Sequence, residues 1–134
     1  MLSKLVTLFT DGGARGNPGP AAIGYVIMSD KRVIVEHGEY IGKATNNVAE
    51  YTALLHGLRH ARRLGTAEVH CKLDSQLVVE QLNRRFKVKD SNLAKLFIQV
   101  WNLSQEFKRI TFTHIRREEN SQADKLVNCA LDQI

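Results

Sequence analysis

Four acidic residues stand at the ends or starts of patterned segments, where carboxylates can do chemistry together. Asp11 follows the strand-like run from Lys4 to Thr10, and Asp74 follows the alternating run from Val69 to Leu73. Glu50 and Asp124 each sit at the start of a stretch with helical periodicity. Carboxylates gathered in one place repel one another and need neutralising. The simplest neutraliser is a hard divalent cation with oxygen ligands, Mg2+ or Mn2+. Two such ions ~3.5–4 Å apart are the usual apparatus for displacement at phosphorus. Each acid also has an ordinary structural reading. Asp11 before Gly12-Gly13 reads as a turn residue, and Asp74 as a helix N-cap. Asn47-Val48-Ala49-Glu50 and Ser121-Gln122-Ala123-Asp124 both read as capping boxes.

The elements decide whether the four meet. The runs Lys4 to Thr10, Ala22 to Met28 and Arg32 to Ile41 predict three strands, the last two joined by a turn near Ser29-Asp30-Lys31. Tyr51, Leu54, Leu55, Leu58 and Ala61 then repeat at helical spacing, with Gly65 as a stop. Val69 to Leu73 predicts a fourth strand, Ser75 to Asn83 a short helix, and Leu93 to Phe107 a third apolar stripe. Ile110 to Ile115 predicts a fifth strand, and Ala123, Leu126, Val127, Ala130 and Leu131 a closing helix. The order β-β-β-α-β-α-α-β-α predicts an α/β fold. A three-stranded meander lies beside strands four and five, which arrive through helical crossovers and run parallel to strand one. The expected sheet is mixed and five-stranded, in order 3-2-1-4-5, with helices on both faces. A crevice opens beyond the carboxyl ends of strands one and four, where their connections diverge. Asp11 and Asp74 fall at those ends, ~4.8 Å apart from strand to strand, and either flanking helix can aim Glu50 or Asp124 at the same crevice.

Composition bounds the partners. The 134 residues are 43% hydrophobic and 25% charged, ordinary globular values that exclude disorder and collagen-like structure. The length fits one domain, residues 1–134. No apolar run approaches the ~18 residues of a membrane span, and the first residues lack a signal-peptide pattern. The expectation is a cytoplasmic monomer with no membrane partner. Nineteen Lys and Arg against 14 Asp and Glu leave a formal charge of +5, which points to a polyanion, nucleic acid first. Cys71 and Cys129 are too few for a disulfide scaffold and sit in apolar patterns, so both read as reduced core residues.

Within this frame the motifs resemble those of ribonuclease H type 1. Thr10-Asp11-Gly12-Gly13-Ala14-Arg15-Gly16-Asn17-Pro18-Gly19-Pro20 is similar to that family's opening motif, and Thr45-Asn46-Asn47-Val48-Ala49-Glu50 to its second. Asp74-Ser75-Gln76 is similar to the third, and His114 to Asp124 to the fourth. The resemblance runs from residue 5 to residue 131. It implies metal-dependent endonucleolytic cleavage of the RNA strand of an RNA–DNA hybrid, leaving 5′-phosphate and 3′-hydroxyl ends. Double-stranded RNA is a second candidate duplex. It also implies that Asp11, Glu50, Asp74 and Asp124 are catalytic and hold two ions per site. Asp11 would bridge the ions, with Glu50 and Asp74 on one and Asp124 on the other. His114 matches the family's mobile-loop histidine, assigned to proton transfer or product release; a strand-edge histidine is the alternative.

Substrate contacts follow from chemistry and resemblance together. Gly12, Gly13 and Gly16 remove side chains where a sugar–phosphate backbone could approach, or they simply form a hairpin turn. Asn17, Asn46, Asn47 and Gln76 offer both donors and acceptors, suited to the ribose hydroxyls of a minor groove. The family's matching positions extend that reading to Gly12, Asn17, Asn46 and Gln76, whereas helix capping is the alternative for Asn47. Arg84, Arg85, Lys87 and Lys89 stand where many relatives insert a helix with a basic loop. They read as a shortened substrate handle, joined by Lys108, Arg109, Arg116 and Arg117, or as a solvated charge run. No separate hybrid-binding domain precedes Lys4, so modest affinity is expected. His37, His56, His60 and His70 read as ordinary surface or strand-edge residues. Two rivals share these features: a duplex-binding module without catalysis, and a different nuclease on the same fold.

Overall fold

The structure is a computed structural model and describes residues 5–134; Lys4, the first residue of the expected strand one, lies outside the described residues. The chain runs β1 (Leu5–Ala14), β2 (Gly19–Ser29), β3 (Arg32–Ala44), α1 (Asn46–Arg63), β4 (Glu68–Leu73), α2 (Gln76–Leu82), α3 (Ser91–Ser104) and β5 (Arg109–His114). A 3-10 turn at Arg117–Asn120 leads into α4 (Ser121–Asp132). The five strands form one mixed sheet in the order β3-β2-β1-β4-β5, as the topology argument requires. β1 pairs antiparallel with β2 and parallel with β4, and β4 pairs parallel with β5.

α1 forms because its apolar positions recur on one stripe: Tyr51, Leu54, Leu55, Leu58 and Ala61 are all buried. They pack with α2 and α3 against Val6, Leu8, Tyr25, Ile27, Val69, Cys71 and Leu73 on one face of the sheet. Gly65, at φ 77°, follows the helix and donates its N–H to the Arg62 carbonyl. α4 crosses the opposite face, where Val127 and Leu131 meet Ala22 of β2. Gly24 makes that approach possible, since a Cβ there would lie 2.6 Å from the Ala123 carbonyl oxygen.

The structure corrects several expectations. β1 continues past Thr10 because its ladder to β2 runs on through Asp11↔Gly24, Gly12↔Ile23 and Ala14↔Ala21. Gly12 and Gly13 therefore lie in the strand, and Gly16, at φ 98°, lies in the turn that follows. The cap of α1 is Thr45, whose hydroxyl accepts from Val48 N at 3.2 Å, so Asn47 and Glu50 do not form a capping box. Ser75, rather than Asp74, caps α2. Asn120 precedes α4 with no side-chain cap bond, so Ser121 and Asp124 are not a capping box either. α3 ends at Ser104, and buried Phe107 belongs to the connection after it. Cys71 is a core residue, but Cys129 is exposed. Two residues along α4 turn it about 200° from buried Val127.

Candidate metal centre

The central strands deliver two of the acids. Their parallel ladder ends at Thr10↔Leu73, and Asp11 and Asp74 are the next residue on each chain. Glu50, one turn into α1, reaches the same point. Among the described residues, Asp11, Glu50 and Asp74 form the one cluster of potential metal ligands whose donor atoms lie within 4.8 Å of one another. Asp124 lies in the first turn of α4 and lines the same cavity, about 300 Å3 in volume, without joining that tight group.

The cluster is buried as well as crowded. Asp11 and Glu50 are each 7% exposed. Burial first, and then the charge of Asp74, pushes the Asp11 carboxyl up to about 7; Asp124 adds to the rise and the contact with Glu50 offsets part of it. Burial also raises Glu50 well above the ordinary glutamate range, with Asp11 and Asp74 adding to it. Glu50 Oε2 has no hydrogen-bond partner among the described residues. Hard carboxylate oxygens that repel one another around an unpartnered buried oxygen are the donor set a divalent cation takes. The residues present therefore fit such an ion.

The neighbouring loop is tied to the helix that carries Glu50. Asn17 Oδ1 accepts from the Asn46 N–H at 3.0 Å, and Asn46 Oδ1 accepts from Ala14 N at 2.8 Å. Asn46 is exposed and lines the cavity; Asn17 and Gln76 are exposed outside it, and Asn47 is half-buried. Gly12 lines the cavity and also has a packing role. A Cβ there would stand 2.3 Å from the Ala49 carbonyl, so the missing side chain admits the α1 backbone.

The remaining sequence candidates lie farther out. His114 is exposed at the end of β5, in register with Leu73, and does not line the carboxylate cavity. Arg84 stacks over Trp101 at 5.3 Å, and Arg85 pairs with Glu80 at 2.7 Å. Lys87 and Lys89 line a separate groove with Phe86 and Leu77.

Asn120, which the sequence did not single out, and Arg117, which it offered only as part of the basic handle, both lie at the centre. Asn120 is buried and donates from Nδ2 to both the Thr10 carbonyl (2.8 Å) and Asp74 Oδ2 (3.1 Å). It ties the ends of β1 and β4 together. Arg117 lines the cavity with its guanidinium 3.8 Å from Asp124 Oδ1. The signal for Asn120 was its position just before a strongly periodic helix. Nothing local separates Arg117 from its charged neighbours.

A five-stranded 3-2-1-4-5 sheet that brings Asp11 of β1 and Asp74 after β4 beside Glu50 of α1 gathers the kind of acidic donor set that metal-assisted phosphoryl transfer uses. Residues 9–130 match the family described as reverse transcriptase-like. The chain is 46% identical over 129 residues to the bifunctional protein Rv2228c of Mycobacterium tuberculosis, covering 95% of this chain and 35% of that protein. It thus spans about a third of the length of that curated relative. The crystal structure of RNase H1 from Halobacterium salinarum superposes with a TM-score of 0.95 at 40% identity, covering 97% of this chain and 99% of that one. LC11-RNase H1 in complex with an RNA/DNA hybrid gives 0.91 at 42% identity, covering 96% and 97%. The chain belongs to the ribonuclease H type 1 family.

Proposed function

We propose that the chain is a single ribonuclease H catalytic domain, residues 1–134, that hydrolyses the RNA strand of RNA–DNA hybrids. The observation that carries this reading is the mutually repelling trio of buried Asp11 on β1, buried Glu50 on α1 and half-buried Asp74 just after β4, with an unpartnered oxygen on Glu50. The hybrid bound to LC11-RNase H1, a protein of the same fold and 42% identity, supports that choice of substrate.

In this reading Asp11, Glu50 and Asp74 hold two Mg2+ or Mn2+ ions, and Asp124 completes the donor set. Ions bound there supply a water of lowered pKa and electrostatic stabilisation of the oxygen that leaves phosphorus. The chain's own residues do the rest. Asn120 holds Asp74 at a fixed distance from β1. Arg117 balances Asp124 and presents a guanidinium to a phosphate entering the cavity. Asn46, with Asn17 behind it, Asn47 and Gln76 offer amide groups to ribose hydroxyls, the feature that tells RNA from DNA. Gly12 sets the depth of α1, and thereby of Glu50. Water attacks the scissile phosphate in line and the 3′-oxygen leaves, giving 5′-phosphate and 3′-hydroxyl ends. His114, exposed at the end of β5 and outside the carboxylate cavity, moves a proton or assists release of product. Lys87, Lys89 and Arg84, which keeps its charge over the Trp101 ring, supply the attraction to the duplex in this stretch, while Glu80 offsets the charge of Arg85. Among the described residues no helix is long and apolar enough to cross a membrane; a cytoplasmic monomer fits this reading.

The test is incubation with end-labelled RNA–DNA hybrid, RNA duplex and DNA duplex, each with Mg2+, Mn2+ or EDTA. The expected result is cleavage of the RNA strand of the hybrid, abolished by EDTA, with RNA duplex cut more slowly or not at all. Cleavage of DNA duplex alone would overturn the reading, as would tight hybrid binding without cleavage.

A further inference from the structure

A second cavity, about 390 Å3, opens between the latter half of α1 and strands β2 and β3. It shares no lining residue with the carboxylate cavity. α1 contributes His56, Arg59, His60 and Arg63, whose spacing places them on one face of a helix. β3 contributes His37 and Glu39, two residues apart and so on one face of the strand. Tyr25 of β2 joins the two sides. It is buried, its hydroxyl lies 2.8 Å from His60 Nδ1, and its ring centroid is 5.2 Å from that of His37 and 5.7 Å from that of His60.

The charges around this space are unbalanced. Two guanidiniums and three imidazoles face it, against one carboxylate, Glu39, which is already bonded to His37 Nε2 at 2.8 Å. Burial and the neighbouring Arg59, Arg63 and His37 hold His56 below the ordinary histidine range, with Glu39 opposing; burial, Arg63 and His37 do the same to His60. An anion placed among these groups relieves their repulsion and favours protonation of the rings. A metal ion suits the site poorly. The two arginines repel a cation, and the imidazole nitrogens are not gathered to ligating distance as the Asp11 cluster is.

We propose that this cavity is a proton-linked binding site for a phosphomonoester dianion, separate from the carboxylate centre. A phosphomonoester presents three acceptor oxygens and close to two charges. The guanidinium fork and the imidazole N–H groups match both features. The volume also exceeds what one oxyanion fills, so the phosphate of a small nucleotide fits as well as free phosphate.

The test is calorimetric titration of the whole chain with Mg2+ present, together with NMR of the imidazole resonances. The probes are inorganic phosphate, a nucleoside 5′-monophosphate and dimethyl phosphate, at pH 6 and pH 8. Inorganic phosphate and the nucleotide should both bind and move the resonances of His37, His56 and His60; at pH 8, where each arrives as the dianion, binding should take up protons onto the rings, with less net uptake at pH 6, where the ligand surrenders a proton of its own. Equal affinity for the two identifies the phosphate group alone as the ligand, and tighter nucleotide binding identifies a nucleotide site. The double substitution Arg59→Ala and Arg63→Ala should lower affinity about tenfold or more without lowering Tm, because both side chains are exposed. The proposal fails if chloride at equal ionic strength moves the same resonances, if dimethyl phosphate binds as well as inorganic phosphate and the nucleotide, or if the double variant binds unchanged. Zn2+ binding at these histidines in place of phosphate would also overturn it.

Discussion

Asp11→Asn should make the metal-free protein more stable, and only at high pH. Burial and neighbouring carboxylates raise the Asp11 carboxyl from 3.8 to about 7. The folded state thus holds this proton more tightly than the unfolded chain does. Between those two values the unfolded chain binds fewer protons, so stability falls as pH rises through the window. Below 3.8 both states are protonated and the residue contributes nothing; above about 7 the full penalty applies. The interval corresponds to at most about 4 kcal/mol at pH 8. Asparagine keeps the volume and cannot ionise, so it removes the penalty and eases Glu50 beside it. Urea unfolding followed by circular dichroism, with chelator present, measures the difference at pH 4 and pH 8. The variant should gain up to about 4 kcal/mol at pH 8, on the order of 10 °C in Tm for a domain of this size, and close to nothing at pH 4. Mg2+ should stabilise the parent at pH 8 and the variant far less. A variant no more stable than the parent at pH 8, or equally stabilised at both pH values, would refute the reasoning.

Three further outcomes follow from the same geometry. Gly12→Ala should cost about 2 kcal/mol or more, because its Cβ meets the Ala49 backbone rather than a side chain that can move, and hybrid cleavage should fall with it as α1 shifts; unfolding and rate measurements on one preparation check both. His114→Ala should lower kcat by ~10²-fold at most while leaving Tm and Mg2+ affinity unchanged, since His114 is exposed and outside the carboxylate cavity; a lowered Tm with wild-type kcat would make it a structural residue. Changing Arg84, Arg85, Lys87 and Lys89 to Ala should flatten the log–log salt dependence of hybrid binding by roughly 0.7–0.9 per lost phosphate contact, with Arg85→Ala giving the least because Glu80 already pairs it; an unaltered slope places the contacts elsewhere.

The strand order, and with it the meeting of Asp11 and Asp74, was legible because hydrophobic periodicity survives in a single sequence. The crossovers then leave one arrangement that puts both acids at the same sheet edge. The helix of Glu50 was legible for the same reason, through Tyr51, Leu54, Leu55 and Leu58. Local chemistry misled where one residue type serves two purposes. Glu50 and Asp124 imitate the last position of a capping box, but Thr45 caps α1 and the helix of Asp124 begins after Asn120 without a cap. Gly12 looks like part of a turn, and only the position of Ala49 shows that it is a packing residue. The place of Asn120 before a periodic helix marked it, but its role was illegible because its bonds to Thr10 and Asp74 span 110 and 46 residues of sequence. Arg117 sits in the run Arg116-Arg117-Glu118-Glu119, where nothing short of the 3-10 turn says which side chain faces the cavity.

The most direct test of the proposed centre is the single-turnover rate at which Asp11→Asn cleaves the RNA strand of a hybrid with saturating Mg2+. Removing the charge at the heart of the cluster should cost at least ~4 kcal/mol of barrier, about a thousandfold in rate, in a protein that is folded and, without metal, more stable than its parent. A variant that retains more than a tenth of the parent's rate would contradict the assignment of Asp11, Glu50 and Asp74 as the metal-holding catalytic group.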